Sequence, residues 1–242
     1  MPNLRALCSA CAVAVLLLIA RPVLAGATIL NDNRSMAIHM YLEDFSGSLG
    51  GSDSDTPDYP TAPFGGYFYY DRQSSTDGNA TGESEAYQAS NLNGSPNVSY
   101  LLCTGSAYAY GYTDFDGIAE SSAESVFSVD FELTEPHDYN FTGMLNRSGA
   151  GAFAEINLEV TGGNSIFTTS AGGSFNDQGI LPTGNYTLYA RAYSYGYADT
   201  GSAFDYDASF ENVLLDLTPV PEPTSGLLML AAATACLLRR QR

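Results

Sequence analysis

The stretch Phe127-Ser128-Val129-Asp130-Phe131-Glu132-Leu133 alternates strictly between apolar and polar side chains. Successive side chains of a β-strand point to opposite faces, so this stretch predicts a strand with one face in a core and the other in water. The stretch from Ala154 to Val160 alternates in the same way, with Ala154, Ile156, Leu158 and Val160 as its apolar members. Both stretches therefore predict antiparallel strands of a sheet that covers a core on one side only.

The rest of the body, residues 26–219, continues this pattern. Near its end, the apolar residues change from even-numbered to odd-numbered positions. The even-numbered set is Phe204, Tyr206, Ala208 and Phe210, and the odd-numbered set is Val213, Leu215 and Leu217. This switch predicts a β-bulge near Glu211 and Asn212. No stretch of the body keeps a helical period over three turns with capping signals. About eight to ten strands with Gly-rich turns between them predict an all-β fold, an antiparallel two-sheet sandwich that is jelly-roll-like.

Two segments lack apolar alternation. Residues 46–63 are polar, acidic and rich in turn formers, and residues 71–85 include Asp77-Gly78-Asn79. Such compositions are typical of connections rather than of core strands, so both segments are predicted to be long surface loops.

The first of these segments also carries a candidate calcium site. Asp53, Asp55 and Asp58 lie close together among Gly and Ser, and a second acidic pair is Asp114 and Asp116. Carboxylate oxygens at such spacing suit Ca²⁺, although the distal Glu of an EF-hand loop is absent. An acidic, solvated loop without a metal is the alternative.

The charge of the chain excludes some partners. Nine basic residues, all of them Arg, stand against 27 acidic ones. Five of the Arg and one Glu lie outside residues 26–219, which leaves the body 4 Arg, 26 carboxylates and a balance of −22. Such a charge repels phosphate backbones, so nucleic acid is excluded as a partner. An apolar content of 45% argues that this acidic body nevertheless folds.

Residues 1–25 are predicted to be a cleaved Sec signal peptide that adopts a helix. Arg5 lies in a short charged region, and an apolar run follows from Ala6 to Ala20. Val23-Leu24-Ala25 then places small or aliphatic residues where a signal peptidase cuts, before Gly26. The alternative, a retained anchor helix, is disfavoured because Arg21-Pro22 interrupts the run before it could span a bilayer.

The last residues, 220–242, repeat the apolar pattern in reverse order. The motif Val220-Pro221-Glu222-Pro223 precedes a 15-residue apolar stretch from Thr224 to Leu238. As a helix this stretch would be about 22 Å long, shorter than the hydrocarbon core of ~30 Å. A basic tail follows, with Arg239, Arg240 and Arg242. These arginines predict a short transmembrane helix with its tail in the cytoplasm and the body outside.

A Pro-Glu-Pro motif, a short apolar helix and an Arg-rich end together resemble the PEP-CTERM sorting signal, which is also catalogued as an ice-binding-protein C-terminal domain. The resemblance covers only residues 220–242. It implies recognition of Pro221, Glu222 and Pro223 by an exosortase, a membrane transpeptidase of Gram-negative bacteria that make exopolysaccharide or biofilms. It further implies export through the inner membrane, transient anchoring by the C-terminal helix, and a final place at the cell surface or outside the cell. It implies nothing about the ligand of the body.

Catalytic signals in the body are weak. Its histidines are His39 and His137, it contains no Lys, and no Gly-x-Ser-x-Gly elbow occurs. Of the four cysteines, Cys103 alone lies in the body, where it either forms a dimer or packs as a small buried hydrophobe. Two functional classes follow. The first is a non-catalytic surface or matrix protein that binds exopolysaccharide, and the alternative is an exported glycan-active hydrolase with a carboxylate pair.

A tyrosine repeat supplies the candidate binding residues. Ala107-Tyr108-Ala109-Tyr110-Gly111-Tyr112-Thr113-Asp114 recurs as Ala192-Tyr193-Ser194-Tyr195-Gly196-Tyr197-Ala198-Asp199. In a strand, the three rings of each copy line one face. The apolar residues Tyr186 and Leu188 have the opposite parity to the second set of rings, which is therefore predicted to face outward. If the copies paired side by side, six rings would form one platform for stacking on sugars. The alternative is a Tyr ladder that only stabilises neighbouring strands.

Overall fold

The computed structural model of the chain describes residues 26–44, 47–55, 64–73, 80–93, 97–114 and 117–220. Within these ranges the chain forms 14 β-strands and no helix. No helix capable of crossing a bilayer occurs in this part of the chain.

The strands follow one another closely. The first seven are β1 (Ala27–Asp32), β2 (Ser35–Asp44), β3 (Gly47–Asp55), β4 (Phe64–Gln73), β5 (Ala80–Asn93), β6 (Asn97–Val98) and β7 (Tyr100–Thr113). The second seven are β8 (Ile118–Leu133), β9 (His137–Ser148), β10 (Ala152–Val160), β11 (Ser165–Thr169), β12 (Gly173–Leu181), β13 (Gly184–Asp199) and β14 (Ala203–Pro219).

These strands form two sheets. One has six strands in the order β12-β9-β14-β7-β5-β4, and the other has eight, in the order β11-β10-β13-β8-β1-β6 with β2 beside β8 and β3 beside β2. The strand pairings in both sheets are antiparallel. The predicted all-β sandwich of two antiparallel sheets is confirmed, with more strands than the eight to ten expected.

The core lies between the two sheets and follows the predicted alternation. Phe127, Val129, Phe131 and Leu133 of β8 are buried, and so are the alternate residues Ala154, Ile156 and Leu158 of β10. Val160 is the exception, because it ends β10 and is 43% exposed. Period-two alternation therefore identified the inner faces of both strands correctly, except at Val160.

The predicted bulge is also confirmed. The register of β14 against β7 shifts between Phe210 and Val213. Within this shift Asn212 has a φ of 48°, and its backbone N–H donates to Thr104 Oγ1 at 3.1 Å. Asn is among the few residue types that adopt this left-handed conformation at low cost. The bulge reverses the parity of β14 and keeps both halves of its apolar set on the core.

The two loop predictions were wrong over the parts that the structure describes, while residues 45–46, 56–63 and 74–79 lie outside the described residues. Residues 47–55 form β3, which pairs with β2 over its whole length. The second predicted loop, 71–85, contains the end of β4 and the start of β5. Both β3 and β4 lie at sheet edges. An edge strand is held by backbone hydrogen bonds to one neighbour and is commonly polar, so its side chains need not show the apolar alternation of a central strand.

The interior also holds an ion pair that the sequence did not reveal. Arg34 Nη2 lies 2.5 Å from Asp32 Oδ2, and both side chains are buried. The same guanidinium donates to Asp32 Oδ1 at 2.8 Å through Nε and to Ser90 Oγ at 3.0 Å through Nη1. A buried charge is tolerated when it is paired and hydrogen-bonded in this way. This pair joins the β1–β2 corner to β5.

Candidate functional site

The second tyrosine row, Tyr193, Tyr195 and Tyr197, lies on the outer face of β13. Tyr195 is 40% exposed and Tyr197 is 49% exposed. The intervening residues Ala192, Ser194 and Gly196 are buried. The outward orientation predicted from the parity of β13 is therefore confirmed.

The first tyrosine row, Tyr108, Tyr110 and Tyr112, has the same arrangement on β7. Tyr112 is 42% exposed, and the other two rings are half-buried. Their alternates Ala107, Ala109 and Gly111 are buried. The two copies of the repeat thus share one design, with small residues inward and rings outward.

The two rows do not lie side by side, so the predicted platform of six rings was wrong. β7 belongs to the six-stranded sheet between β14 and β5, whereas β13 belongs to the eight-stranded sheet between β10 and β8. The copies instead face each other across the interior, where Ser194 Oγ donates to the carbonyl oxygen of Ala107 at 2.8 Å. The tyrosine rows consequently lie on opposite outer faces of the sandwich.

One ring of β14 explains the glycine in each copy of the repeat. A Cβ on Gly111 would lie 2.3 Å from Cε1 of Phe204, and a Cβ on Gly196 would lie 2.0 Å from its Cδ2. Both distances are far below van der Waals contact. The Phe204 ring therefore fills the space that two side chains would otherwise occupy and packs the sheets together behind both tyrosine rows.

A cation sits within the second tyrosine row. The guanidinium carbon of Arg191 lies 4.9 Å from the centre of the Tyr193 ring. Its Nε forms an ion pair of 2.7 Å with Oε1 of Glu124 on the neighbouring strand β8. Cation–π contact and a charge-assisted hydrogen bond act on Arg191 together. This part of the sheet surface therefore holds a positive group between a tyrosine ring and a carboxylate.

Tyr189 extends the same face. Burial raises its pKa to about 12, with a lowering by Arg191 and a raising by Glu155 as smaller effects. Burial also raises the pKa of Tyr193. The hydroxyls of both side chains thus remain protonated at neutral pH and act as hydrogen-bond donors.

Carboxylates border the first tyrosine row on both sides. Tyr108 pairs in register with Glu85 of β5 and with Asp207 of β14. Tyr110 pairs with Glu83 and Asp205 on the same two strands. Burial and then the charges of Asp205 and Glu83 raise the pKa of Tyr108 to about 12.

The same surroundings act on Asp207. Burial raises the pKa of its carboxyl, and the negative charges of Asp205, Glu211 and Glu85 raise it further. Like charges oppose ionisation in this way when they are close. The six-stranded sheet therefore presents a tyrosine row in a strongly negative field.

Such a surface can bind a flat, polar ligand. Tyrosine rings offer apolar faces together with hydroxyl groups, and this combination suits partners that have one apolar and one polar side. Carboxylates beside the rings accept hydrogen bonds from hydroxyl or amine donors.

The sequence analysis named the six tyrosines as candidates and did not identify their charged neighbours. Arg191 and Tyr189 lie two and four residues before Tyr193. The alternation of side chains in a strand could therefore have placed them on the same face as Tyr193 from the sequence alone. The pairing of Tyr193 with Glu124 depends on the register of β13 against β8, and no local pattern reports that register.

The predicted calcium-binding loop is a strand where the structure describes it. Asp53 and Asp55 lie in the strand β3, while Asp58 and Asp116 fall outside the described residues. Among the residues that the structure describes, no group of three or more His, Cys, Asp or Glu side chains could hold a metal ion.

Cys103 is a buried side chain, and burial raises the pKa of its thiol well above the usual range. The prediction of a small buried hydrophobe is thus the correct one for this cysteine.

The sorting elements fall largely outside the described residues. These are the predicted signal peptide, residues 1–25, together with Pro221, Glu222, Pro223 and the arginines Arg239, Arg240 and Arg242. Val220 is the last residue described, and its N–H donates to the carbonyl oxygen of Pro136 at 2.9 Å.

No protein-family model and no curated protein matches the chain. One similar solved structure is TmCBM61, a carbohydrate-binding module in complex with β-1,4-galactotriose, with a TM-score of 0.22, 10% identity, and coverage of 64% of this chain and 88% of that one. The infectious bursal disease virus VP2 subviral particle gives a TM-score of 0.19, 8% identity, and coverage of 85% and 69%. The structure of infectious bursal disease virus strain Gx gives a TM-score of 0.18 and 10% identity, and the match covers 83% of this chain and 64% of that one. At these TM-scores the three structures say nothing about the ligand of this chain.

Proposed function

We propose that the protein is an exported, acidic surface or matrix protein that binds extracellular polysaccharide without cleaving it. The observation that supports binding is the outward position of the rings in both tyrosine rows, with Tyr112, Tyr195 and Tyr197 each at least 40% exposed.

Sugar rings match this surface chemically. Their C–H faces stack on aromatic rings, and their hydroxyl groups accept from tyrosine O–H groups and donate to carboxylates. Three rings at alternate positions of one strand extend over about 13 Å, a length that suits a run of sugars rather than a single one. A polymer is therefore the favoured ligand.

Delivery to the polysaccharide rests on the ends of the chain. A Sec signal at residues 1–25 would export the body, and an exosortase would then act near Pro221-Glu222-Pro223. Each Pro fixes its own φ and biases the residue before it away from helix, so Glu222 would be presented outside the membrane helix.

Affinity electrophoresis of the full chain in gels that contain soluble polysaccharides tests the binding proposal. We expect retarded migration in at least one polysaccharide gel and no new reducing ends in that polysaccharide. Unretarded migration throughout a broad panel would contradict the binding role, while released reducing ends would favour the hydrolase alternative.

Mass spectrometry of the protein recovered from outside the cell tests the delivery proposal. The expected mass lacks residues 1–25 and ends near Pro223. A mature surface protein with residues 224–242 intact would contradict processing by an exosortase.

A further inference from the structure

We propose that the two tyrosine rows are two separate sites, one on each outer face, that each takes a segment of a polysaccharide bearing protonated amines, and that one molecule thereby bridges two polymer chains. This inference rests on the proposed function and adds the number of sites, their placement and the chemistry of the sugar.

The number and placement follow from the sheets. The first row lies on β7 of the six-stranded sheet and the second on β13 of the eight-stranded sheet. The two strands contact each other through their inner faces, as the bond from Ser194 to Ala107 shows. Rings on the far sides of two such strands are separated by the whole sandwich, so a single ligand segment cannot reach both rows.

The two rows share one feature of their surroundings, which is a pair of carboxylates on a neighbouring strand. On the eight-stranded sheet, Tyr193 and Tyr197 pair in register with Glu124 and Glu120. On the six-stranded sheet, Tyr108 pairs with Asp207 and Tyr110 with Asp205. Each row thus has carboxylates in register with two of its three tyrosines, on β8 for the second row and on β14 for the first. Because Arg191 already forms an ion pair with Glu124, an amine at the second row would pair with Glu120, which lies opposite Tyr197.

The chemistry of the ligand follows from charge complementarity. The body carries 26 carboxylates against 4 Arg, and the charges that raise the pKa of Asp207 belong to Asp205, Glu211 and Glu85. A neutral sugar would leave this repulsion unchanged, and a uronic acid polymer would increase it. A protonated amine would reduce it, because it would place a positive charge beside several carboxylates.

Arg191 shows that a tyrosine and a carboxylate on this fold hold a cation. Its guanidinium lies over Tyr193 at 4.9 Å and forms an ion pair with Glu124 at 2.7 Å. An amine on a sugar chain stacked along a row would find the same pair of groups at Tyr108 and Asp207. An amino-sugar polymer is preferred to a basic peptide because its flat rings can also stack on successive tyrosines.

Isothermal titration of the full chain with the β-1,4-linked glucosamine hexamer tests the proposal. The expected stoichiometry is two hexamers per protein, with binding about tenfold or more weaker for the fully N-acetylated hexamer. A triple variant that replaces the tyrosines of one row by Thr should leave one site. The first-row variant carries Tyr108→Thr, Tyr110→Thr and Tyr112→Thr, and the second-row variant carries Tyr193→Thr, Tyr195→Thr and Tyr197→Thr. Replacement of both rows should leave none.

These variants control for unspecific attraction and for folding. Tyr→Thr does not change the net charge at neutral pH, so simple attraction between a polyanion and a polycation would survive all three replacements. Thr also favours strands, and an unchanged melting transition verifies that each variant is folded. Long chitosan should form cross-linked aggregates with the wild type and none with either single-row variant.

Several outcomes would overturn the inference. A stoichiometry of one for the wild type, or of two for a single-row variant, would contradict two separate sites. If hexalysine bound the rows as tightly as the glucosamine hexamer, the inferred ligand would be a basic peptide and not an amino sugar. If the rows bound neutral glycans but not the glucosamine hexamer, the proposed amine specificity would be wrong and the proposed function would stand. If the protein bound no glycan at all, the inference and the proposed function would both be wrong.

Discussion

The hydroxyl of Ser194 donates a hydrogen bond of 2.8 Å to the carbonyl oxygen of Ala107, and this bond joins the two copies of the tyrosine repeat across the core. Both residues belong to the small inward faces of their strands, which lets the two sheets approach closely. The tyrosines of both copies are consequently directed to opposite outer surfaces. The repeat therefore builds one thin core region and two aromatic faces at once.

Gly196→Ala should destabilise the protein, because the added Cβ would lie 2.0 Å from Cδ2 of Phe204. Overpacking of this kind costs about 1–3 kcal/mol, and each kcal/mol lowers the melting temperature by about 2–4 °C in a domain of this size. The matched control is Gly172→Ala, where the nearest atom to the Cβ is the Leu145 carbonyl oxygen at 3.7 Å. Equal melting temperatures for the two variants would contradict the close packing of Phe204.

Asp32→Asn should be strongly destabilising, because it removes a charged partner of the buried guanidinium of Arg34. Removing one partner of a buried ion pair costs about 3–5 kcal/mol. Chemical denaturation measures this loss. The double variant Asp32→Leu with Arg34→Met removes both charges and should recover most of the stability; a double variant as unstable as Asp32→Asn would argue against the ion pair as the cause.

Asp207→Asn should stabilise the protein at pH 7 and change little at pH 3. The pKa of Asp207 is raised in the folded state above its ordinary value of 3.8. The folded state therefore binds this proton more tightly than the unfolded state, and the stability contributed by Asp207 falls as pH rises from about 4. Melting temperatures of variant and wild type at both pH values measure the difference. Asp216→Asn, an exposed change on the same strand, is the control, and an equal gain at pH 3 and pH 7 would contradict the assignment.

Cys103 should resist alkylation in the native protein, because its thiol is buried and burial disfavours the reactive thiolate. Mass spectrometry of the peptide that contains Cys103, after iodoacetamide treatment with and without guanidinium chloride, measures this protection. Rapid labelling of Cys103 without denaturant would show that the core opens readily around β7.

Local patterns predicted a large part of the fold. The alternation around Phe131 identified the inner face of β8, and the parity of Leu188 gave the outward orientation of Tyr195. The parity switch near Asn212 gave the bulge. Each of these features is decided within one strand, so neighbouring residues carry the information.

Sheet membership could not be read in the same way. The pairing of β13 with β8 and β10 joins residues far apart in sequence, and only the register shows Tyr193 opposite Glu124. The polar strand β3 escaped detection because its sequence of Gly, Ser and Asp shows no apolar alternation, while its pairing with β2 is a matter of backbone register. The outward orientation of the second tyrosine row was therefore predicted correctly, and the arrangement of the two rows was wrong.

A glycan array probed with the wild type and with the variant that replaces all six tyrosines of both rows by Thr tests whether the tyrosine rows bind polysaccharide. We expect that the wild type binds a restricted set of polysaccharides and that the six-fold variant loses this binding while its melting temperature stays close to that of the wild type. Tyr100→Thr, a change on the outer face of β7 eight residues from Tyr108, should keep the binding. Undiminished binding by a folded six-fold variant would contradict the account.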